Sequence, residues 1–253
     1  MASVERVHDV RAERCAYPSA DPCLDRPARF DRVARLYRMM EYLSFGPMLE
    51  RCRYHHIRTL IRARRALILG DGDGRFLARL LAAAPHLRAD AIDASSAMLH
   101  LLRNRVAKQG NQDRLTVTCA DACRFDPPSG GYDLVVTHFF LDCLTDAETE
   151  RLIPRIRPCL APGARWLVSE FQIPDAGPVQ RGIARGLISG LYASFRLLTG
   201  LNVRVIPQWS RHLDRHGFAR TATRSWLGGL LVSELWEMTG RQPRPELPIP
   251  TQE

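Results

Sequence analysis

Four groups of residues in this sequence could act together on one ligand. They are the run Gly70-Asp71-Gly72-Asp73-Gly74, the acid Asp93 with Ala94 and Met98 beyond it, the pair Asp121-Ala122, and the pair Thr137-His138. A glycine run directly after an apolar stretch brings backbone close to a ligand, because glycine adopts angles that other residues resist. Two acids inside such a turn oppose a diphosphate, since like charges about 4 Å apart repel by roughly 4 kcal/mol at an effective dielectric near 20. A ligand with cationic groups and no phosphate is favoured. Asp93, 19 positions after Gly74, can accept from both hydroxyls of a ribose, which suits several nucleotide-like ligands. Asp121 can accept from an adenine amino group, with the Ala122 amide close by for a ring nitrogen, and Met98 can pack on the adenine face. His138 is the best-placed general base, since an unperturbed imidazole titrates near 6.5. Each residue alone also has a plainer reading: a helix-capping acid for Asp93, a loop acid for Asp121, a packing or capping histidine for His138. The ordered series is more specific than its parts.

The elements that must position these residues follow from periodicity. Ala66 to Leu69, Ala89 to Asp93, Leu115 to Cys119, Tyr132 to Thr137 and Arg165 to Glu170 read as strands. Helical spacing separates them, at Phe76, Leu77, Leu80 and Leu81, then at Met98, Leu99, Leu102 and Val106. Thr145-Asp146-Ala147-Glu148 is a capping box that opens a further helix, which Pro154 and Pro158 should kink or shorten. Strands alternating with helices imply right-handed crossovers and a parallel sheet, with ligands at the carboxyl ends of the strands. Phe218 to Trp226 and Leu230 to Trp236, joined through Gly228-Gly229, read as an antiparallel hairpin. Residues 28–62 read as N-terminal helices, from which Tyr37 could close over the ligand, and His55-His56 as a helix surface. Residues 175–205 read as an insertion whose apolar stripe, Ile183, Leu187, Leu191, Phe195 and Leu198, lies apart from Arg181, Arg185 and Arg196. That pattern suits a lid over an acceptor pocket, a face resting on an anionic membrane surface, or a helix docked on the body. Glu170 and Gln172 are read as pocket-lining or solvated. Residues 1–27 read as a loose leader and 241–253 as a Pro-rich tail, leaving one domain over 28–240.

The stretches Leu67 to Gly74, Ala91 to Met98, Ala120 to Ala122, Tyr132 to Val136 and Leu160 to Gly163 resemble class I S-adenosylmethionine-dependent methyltransferases. They are closest in style to the small-molecule branch that includes ubiquinone and menaquinone biosynthesis C-methyltransferases. The resemblance spans about residues 30–240. It implies an α/β fold, Rossmann-like and doubly wound, with a seven-stranded, mostly parallel sheet ending in an antiparallel hairpin and helices on both faces. It also implies that Gly70, Gly72, Asp93 and Asp121 bind the cofactor, with Tyr37, Asp71, Gly74, Ala94, Met98, Ala122, Thr137 and His138 around it. S-adenosylmethionine, with a sulfonium, an ammonium and no phosphate, meets the electrostatic requirement of the glycine turn; its product would be S-adenosylhomocysteine. Ile68 stands where many members carry an acid, which leaves the ammonium contact to Asp71 or Asp73.

Composition narrows the classes. The chain has 253 residues, 45% of them hydrophobic and 25% charged, which excludes a disordered or fibrous protein. No apolar run reaches the roughly 18 residues of a membrane span, and the first residues lack a signal peptide's apolar core, so a soluble cytoplasmic protein is expected. The net charge is +9, with Lys108 the single lysine among 36 basic residues. Arginines spread along the chain point to coding bias rather than a nucleic-acid surface, and the segment after Thr137 lacks the Asn/Asp-Pro-Pro-Tyr/Phe signature of nucleobase amino-methylases. The 7 cysteines include no CxxC pair, so free thiols and no metal are expected. The sequence therefore points to methyl transfer to a small, apolar or aromatic acceptor by in-line displacement. A nicotinamide-dependent oxidoreductase and a non-catalytic cofactor-binding module are the alternatives. The oligomeric state is left open.

Overall fold

In the computed structural model of this chain, the alternation of apolar runs and helical stretches becomes a sheet of seven strands with helices on both faces. The structure describes residues 47–128, 131–174, 177–199 and 206–240. The first half contains α1 (47–54), β1 (Arg65–Leu69), α2 (Arg75–Ala83), β2 (Arg88–Asp93), α3 (Ser96–Ala107), β3 (Leu115–Cys119) and β4 (Tyr132–His138). The second contains α4 (Asp146–Ile156), β5 (Leu160–Phe171), α5 (Pro178–Thr199), α6 (Trp209–Arg215), β6 (Phe218–Trp226) and β7 (Leu231–Met238).

The strand order is β3-β2-β1-β4-β5-β7-β6. β1 pairs in parallel with β2 and β4, β2 with β3, and β4 with β5, whereas β7 is antiparallel to both β5 and β6. β7 therefore runs against the other six. The order reverses direction between β1 and β4, the place at whose carboxyl ends folds of this kind bind their ligands. The central strands β1, β4 and β5 are largely buried on both faces because both are covered, whereas the edge strand β6 is mostly exposed. Side chains alternate along a strand, so Leu67, Leu69, Val135, Trp166 and Val168 meet Leu152, Ile153 and Ile156 of α4 and Trp209 and Leu213 of α6. Ala66, Ile68, Leu134, Val136 and Leu167 meet Phe76, Leu77, Leu80 and Leu81 of α2 and Leu102 and Val106 of α3. A third cluster lies beyond the strand ends, where Leu49 and Cys52 of α1, Phe139, Phe171, Leu230, Leu231 and α5's Ala184 and Ile188 come together.

The capping box forms as expected: Thr145 takes the Glu148 amide and Glu148 takes the Thr145 amide. Pro154 sits inside α4 without ending it, and Pro158 opens the 3-10 turn that follows. Several expectations need correction. α1 ends at 54 rather than near Arg62, giving way to turns and a 3-10 turn at Ile57–Thr59. His56 is buried, with Nε2 against the Ser233 carbonyl oxygen at 3.3 Å, instead of lying on a helix surface. Among the α5 residues whose burial is described, Ala184 and Ile188 are buried, while Leu187 of the expected apolar stripe is 51% exposed; Ile183, Leu191, Phe195 and Leu198 lie outside them. Cys52, Cys123, Cys143 and Cys159 are free thiols, but Cys119 is disulfide-bonded, so free thiols throughout do not hold. Tyr37 and the helix expected around Phe30 lie outside the described residues.

Candidate active site

The glycine turn between β1 and α2 is built by three residues of positive φ: Gly70 (67°), Gly72 (60°) and Gly74 (76°). Their reasons differ. A Cβ on Gly70 would stand 2.4 Å from the Phe140 ring, and one on Gly74 would stand 2.6 Å from Leu102 Cγ and 2.8 Å from its Cα. A Cβ on Gly72 would meet nothing within 4 Å. Gly70 and Gly74 therefore allow parts of the protein to approach each other, and the space at Gly72 is open to a ligand.

The two acids of the turn part company. Asp73 accepts from Arg75 Nε at 3.1 Å and Arg105 Nη2 at 2.9 Å, while Arg105 Nε also donates to the Asp73 carbonyl. It is a neutralised tie between the turn and α3, which corrects the reading that both acids repel a phosphate. Asp71 turns inward, and its Oδ2 accepts the Leu77 amide at 3.0 Å, one of the donors that the first turn of α2 leaves open. An anion is thus already seated at the helix N-terminus that would otherwise bind a diphosphate. Burial raises the Asp71 carboxyl to about 7, against the Leu77 hydrogen bond and the Arg53 charge.

Asp93 ends β2 beside this turn. Its Oδ1 accepts the Ser95 amide at 2.8 Å, and the Gly72 amide is also directed to it. The cap of α3 is Ser95, whose hydroxyl takes the Met98 amide, so Asp93 is not consumed as a capping acid. Burial pushes the Asp93 carboxyl up to about 6. Ala94 is exposed and Met98 half-buried at the same junction. Asp121, after β3, is exposed, accepts the Cys123 amide at 2.9 Å and lies 3.6 Å from Arg124 Nε, and Ala122 is buried behind it.

Alternation along β4 separates Thr137 from His138. Thr137 points to the α4 side, fully buried, with its hydroxyl accepting Trp166 Nε1–H at 3.0 Å. Its side chain serves the core. His138 points to the α2 side and packs edge-on against Phe76, with centroids 4.3 Å apart. It is 3% exposed, and neither ring nitrogen has a hydrogen-bond partner among the described residues. Burial and the nearby Arg53 charge hold its pKa well below 6.5, so the ring is neutral. Buried polar atoms with no partner are uncommon and call for an explanation, such as a bound group that completes them.

Sequence reasoning missed two residues around this rim, Arg53 and Asp142, and left the setting of Glu170 open. Arg53 of α1 lies 5.0 Å over the Phe139 ring and contributes its charge to both Asp71 and His138. Asp142 follows β4 and is buried. Glu170, read as pocket-lining or solvated, has no exposed surface and accepts the Phe140 and Leu141 amides. The loop they hold carries Phe139 at φ 52°, and Phe139 packs against Phe171 with centroids 5.2 Å apart. Gln172 is half-buried, its amide bonded to the Leu230 carbonyl. Among the described residues no group of three or more His, Cys, Asp or Glu could hold a metal ion.

Comparison with known proteins agrees with this geometry. A family model described as "Methyltransferase domain" matches residues 67–166, from β1 into β5. The demethylmenaquinone methyltransferase of Thermus thermophilus is 30% identical over 181 residues, covering 67% of this chain and 80% of that protein. An 8-amino-8-demethylriboflavin N,N-dimethyltransferase of Streptomyces davaonensis is 30% identical over 59% of this chain and 41% of that one. A solved O-methyltransferase family protein from Burkholderia thailandensis shares the fold, with a TM-score of 0.63 at 17% identity over 83% of this chain and 61% of its own. A glycine turn with an open side, an acid at the end of β2 and the strand order itself thus coincide with a relative matched over most of its length: the chain belongs to the class I S-adenosylmethionine-dependent methyltransferases.

Proposed function

We propose that this chain transfers the methyl group of S-adenosylmethionine to a small, apolar or aromatic acceptor by in-line displacement. When bound, the cofactor supplies an electrophilic methyl on a sulfonium. The residues at the rim fit it. The side of Gly72 is open, Asp93 places its carboxyl oxygens beside the turn, and the His138 nitrogens lack a partner among the described residues. Asp71 and Asp93 supply the negative field that a sulfonium and an ammonium require, with Asp121, Ala122, Ala94 and Met98 at the adenine end. These assignments are carried by position along successive strand ends.

The observation that carries the acceptor class is the cluster beyond the strands. Phe139, Phe171, Leu230 and Leu231 form an apolar, aromatic wall beside the rim, and α5 lays Ala184 and Ile188 on it. Such a wall excludes water and favours a flat apolar ring, which aligns an acceptor without a covalent step. α5 acts as its cover. Its outer side exposes Val179 at 76% and Leu187 at 51%, with Arg181 and Arg185 also exposed, which leaves peripheral contact with an anionic membrane as a further proposal, tested by sedimentation with anionic vesicles.

His138 is assigned as general base because it is neutral and its nitrogens are unengaged. Replacing it with alanine should lower turnover at least tenfold while leaving cofactor affinity within about threefold. Unchanged turnover would remove the base assignment. The reading as a whole is tested by incubating the protein with isotopically labelled S-adenosylmethionine and a lipid or cell extract, then identifying the labelled product. A labelled ring compound supports it. Donor binding with no labelled product supports a non-catalytic module, and binding of a nicotinamide cofactor with enhanced fluorescence supports the oxidoreductase.

A further inference from the structure

Glu170 stands at the carboxyl end of β5 with no exposed surface. Its Oε1 accepts the amides of Phe140 at 3.1 Å and Leu141 at 2.8 Å, and the Asp142 amide is turned to the same carboxyl. Three successive amides of the loop after β4 are thus gathered on one side chain. That loop does two things at the rim. It holds Phe139 in the left-handed region, against Phe171, and it places the Phe140 ring where a Cβ on Gly70 would stand 2.4 Å from it. Cys143 closes the loop, with Sγ against the Phe139 carbonyl at 3.7 Å and Asp142 Oδ1 at 3.5 Å. Glu170 Oε2 is buried without a hydrogen-bond partner among the described residues.

We infer that Glu170 is a positioning residue: by collecting the 140–142 amides it fixes the loop that presses Phe140 onto the Gly70 turn, and so sets the shape of the donor site without touching the donor. Its carboxyl is neutral while doing this. Burial and the neighbouring Asp142 raise its pKa well above the usual carboxylate value, against the opposing pull of the three amides. A glutamine has the same shape as a protonated glutamate, with a carbonyl oxygen for the amides and an NH2 in place of the O–H. An aspartate carries the same carboxyl but is one methylene too short to reach them.

This inference rests on the donor lying against the Gly70 turn, and the following measurement separates the two. Calorimetric titration with S-adenosylhomocysteine compares the wild type with Glu170→Gln, Glu170→Ala and Glu170→Asp, each checked for folding by far-ultraviolet circular dichroism. Glu170→Gln should bind within threefold of wild type, and the alanine and aspartate variants at least tenfold more weakly. A folded Glu170→Ala protein that binds like wild type would overturn the inference, as would a glutamine variant no better than alanine. Should the alanine variant not fold, the contrast between glutamine and aspartate decides, and aspartate binding like wild type counts against it. If the wild type itself does not bind, all four proteins fail alike, and the placement of the donor falls together with the inference.

Discussion

Asp71, in the glycine turn, and Asp93, at the end of β2 beside it, do different work. Asp71 is committed to the first turn of α2, whereas Asp93 keeps acceptor capacity toward the open side of the turn. Replacing Asp93 with alanine should weaken S-adenosylmethionine binding about tenfold to a hundredfold, since a hydrogen bond to a charged group is worth about 1.5–3 kcal/mol, and calorimetry would measure it. Both carboxyls are raised by burial, to about 7 and about 6. A raised carboxyl favours the folded state at low pH, and that contribution is lost as pH climbs from the ordinary carboxylate range through the folded values. A cationic donor binds the ionised pair best. The rise in melting temperature caused by saturating S-adenosylmethionine should therefore be larger at pH 7.5 than at pH 5.5, as a fluorescence melting assay would register. An equal rise at both would mean that the carboxylates do not face the donor. Asp93's place was legible from its spacing after the glycine run. The fate of Asp73 was not, because its partner Arg105 is 32 residues away on another helix.

The elements around the site are joined by contacts of very different tolerance. Alanine at Gly74 meets the backbone of α3, so it should destabilise the protein by about 2–3 kcal/mol in urea, combining overpacking with left-handed strain. Alanine at Gly72 meets only open space, so it should cost about 1 kcal/mol of stability while weakening donor binding at least as much as Gly74→Ala does. The pair thus separates packing from binding. The N-terminus of α4 is joined to α6, where Asp146 accepts the Gln208 amide at 2.7 Å and lies 3.0 Å from His212 Nε2. The strands were legible as short apolar runs bounded by glycine, proline and acids. The packed face of α5 was not, since helical spacing admits more than one stripe and the small Ala184 lies against the body while the larger Leu187 faces outward. Glu170 looked like any acid ending a strand, and only the return of the 140–142 backbone explains its burial.

At the scale of the molecule, one sheet divides two cores, and Trp166 is the largest fully buried side chain among the described residues. It packs edge-on against Phe218 of β6 at 5.7 Å and donates to Thr137 of β4, so it connects strands from both halves of the sheet. Replacing it with alanine should cost about 3–5 kcal/mol, seen as a lower denaturation midpoint in urea, and leaves the Thr137 hydroxyl buried without that donor. No helix among the described residues is long and apolar enough to cross a membrane. The strand order has a consequence for biosynthesis. β7, the last strand among the described residues, is inserted between β5 and β6, with seven register partners on β5 from Arg165 to Phe171. While the ribosome is still making residues 231–238, β5 offers an open row of amides and carbonyls, and the wall that covers the acceptor lacks Leu231. The nascent chain is thus most prone to pair with its neighbours until β7 docks on β5.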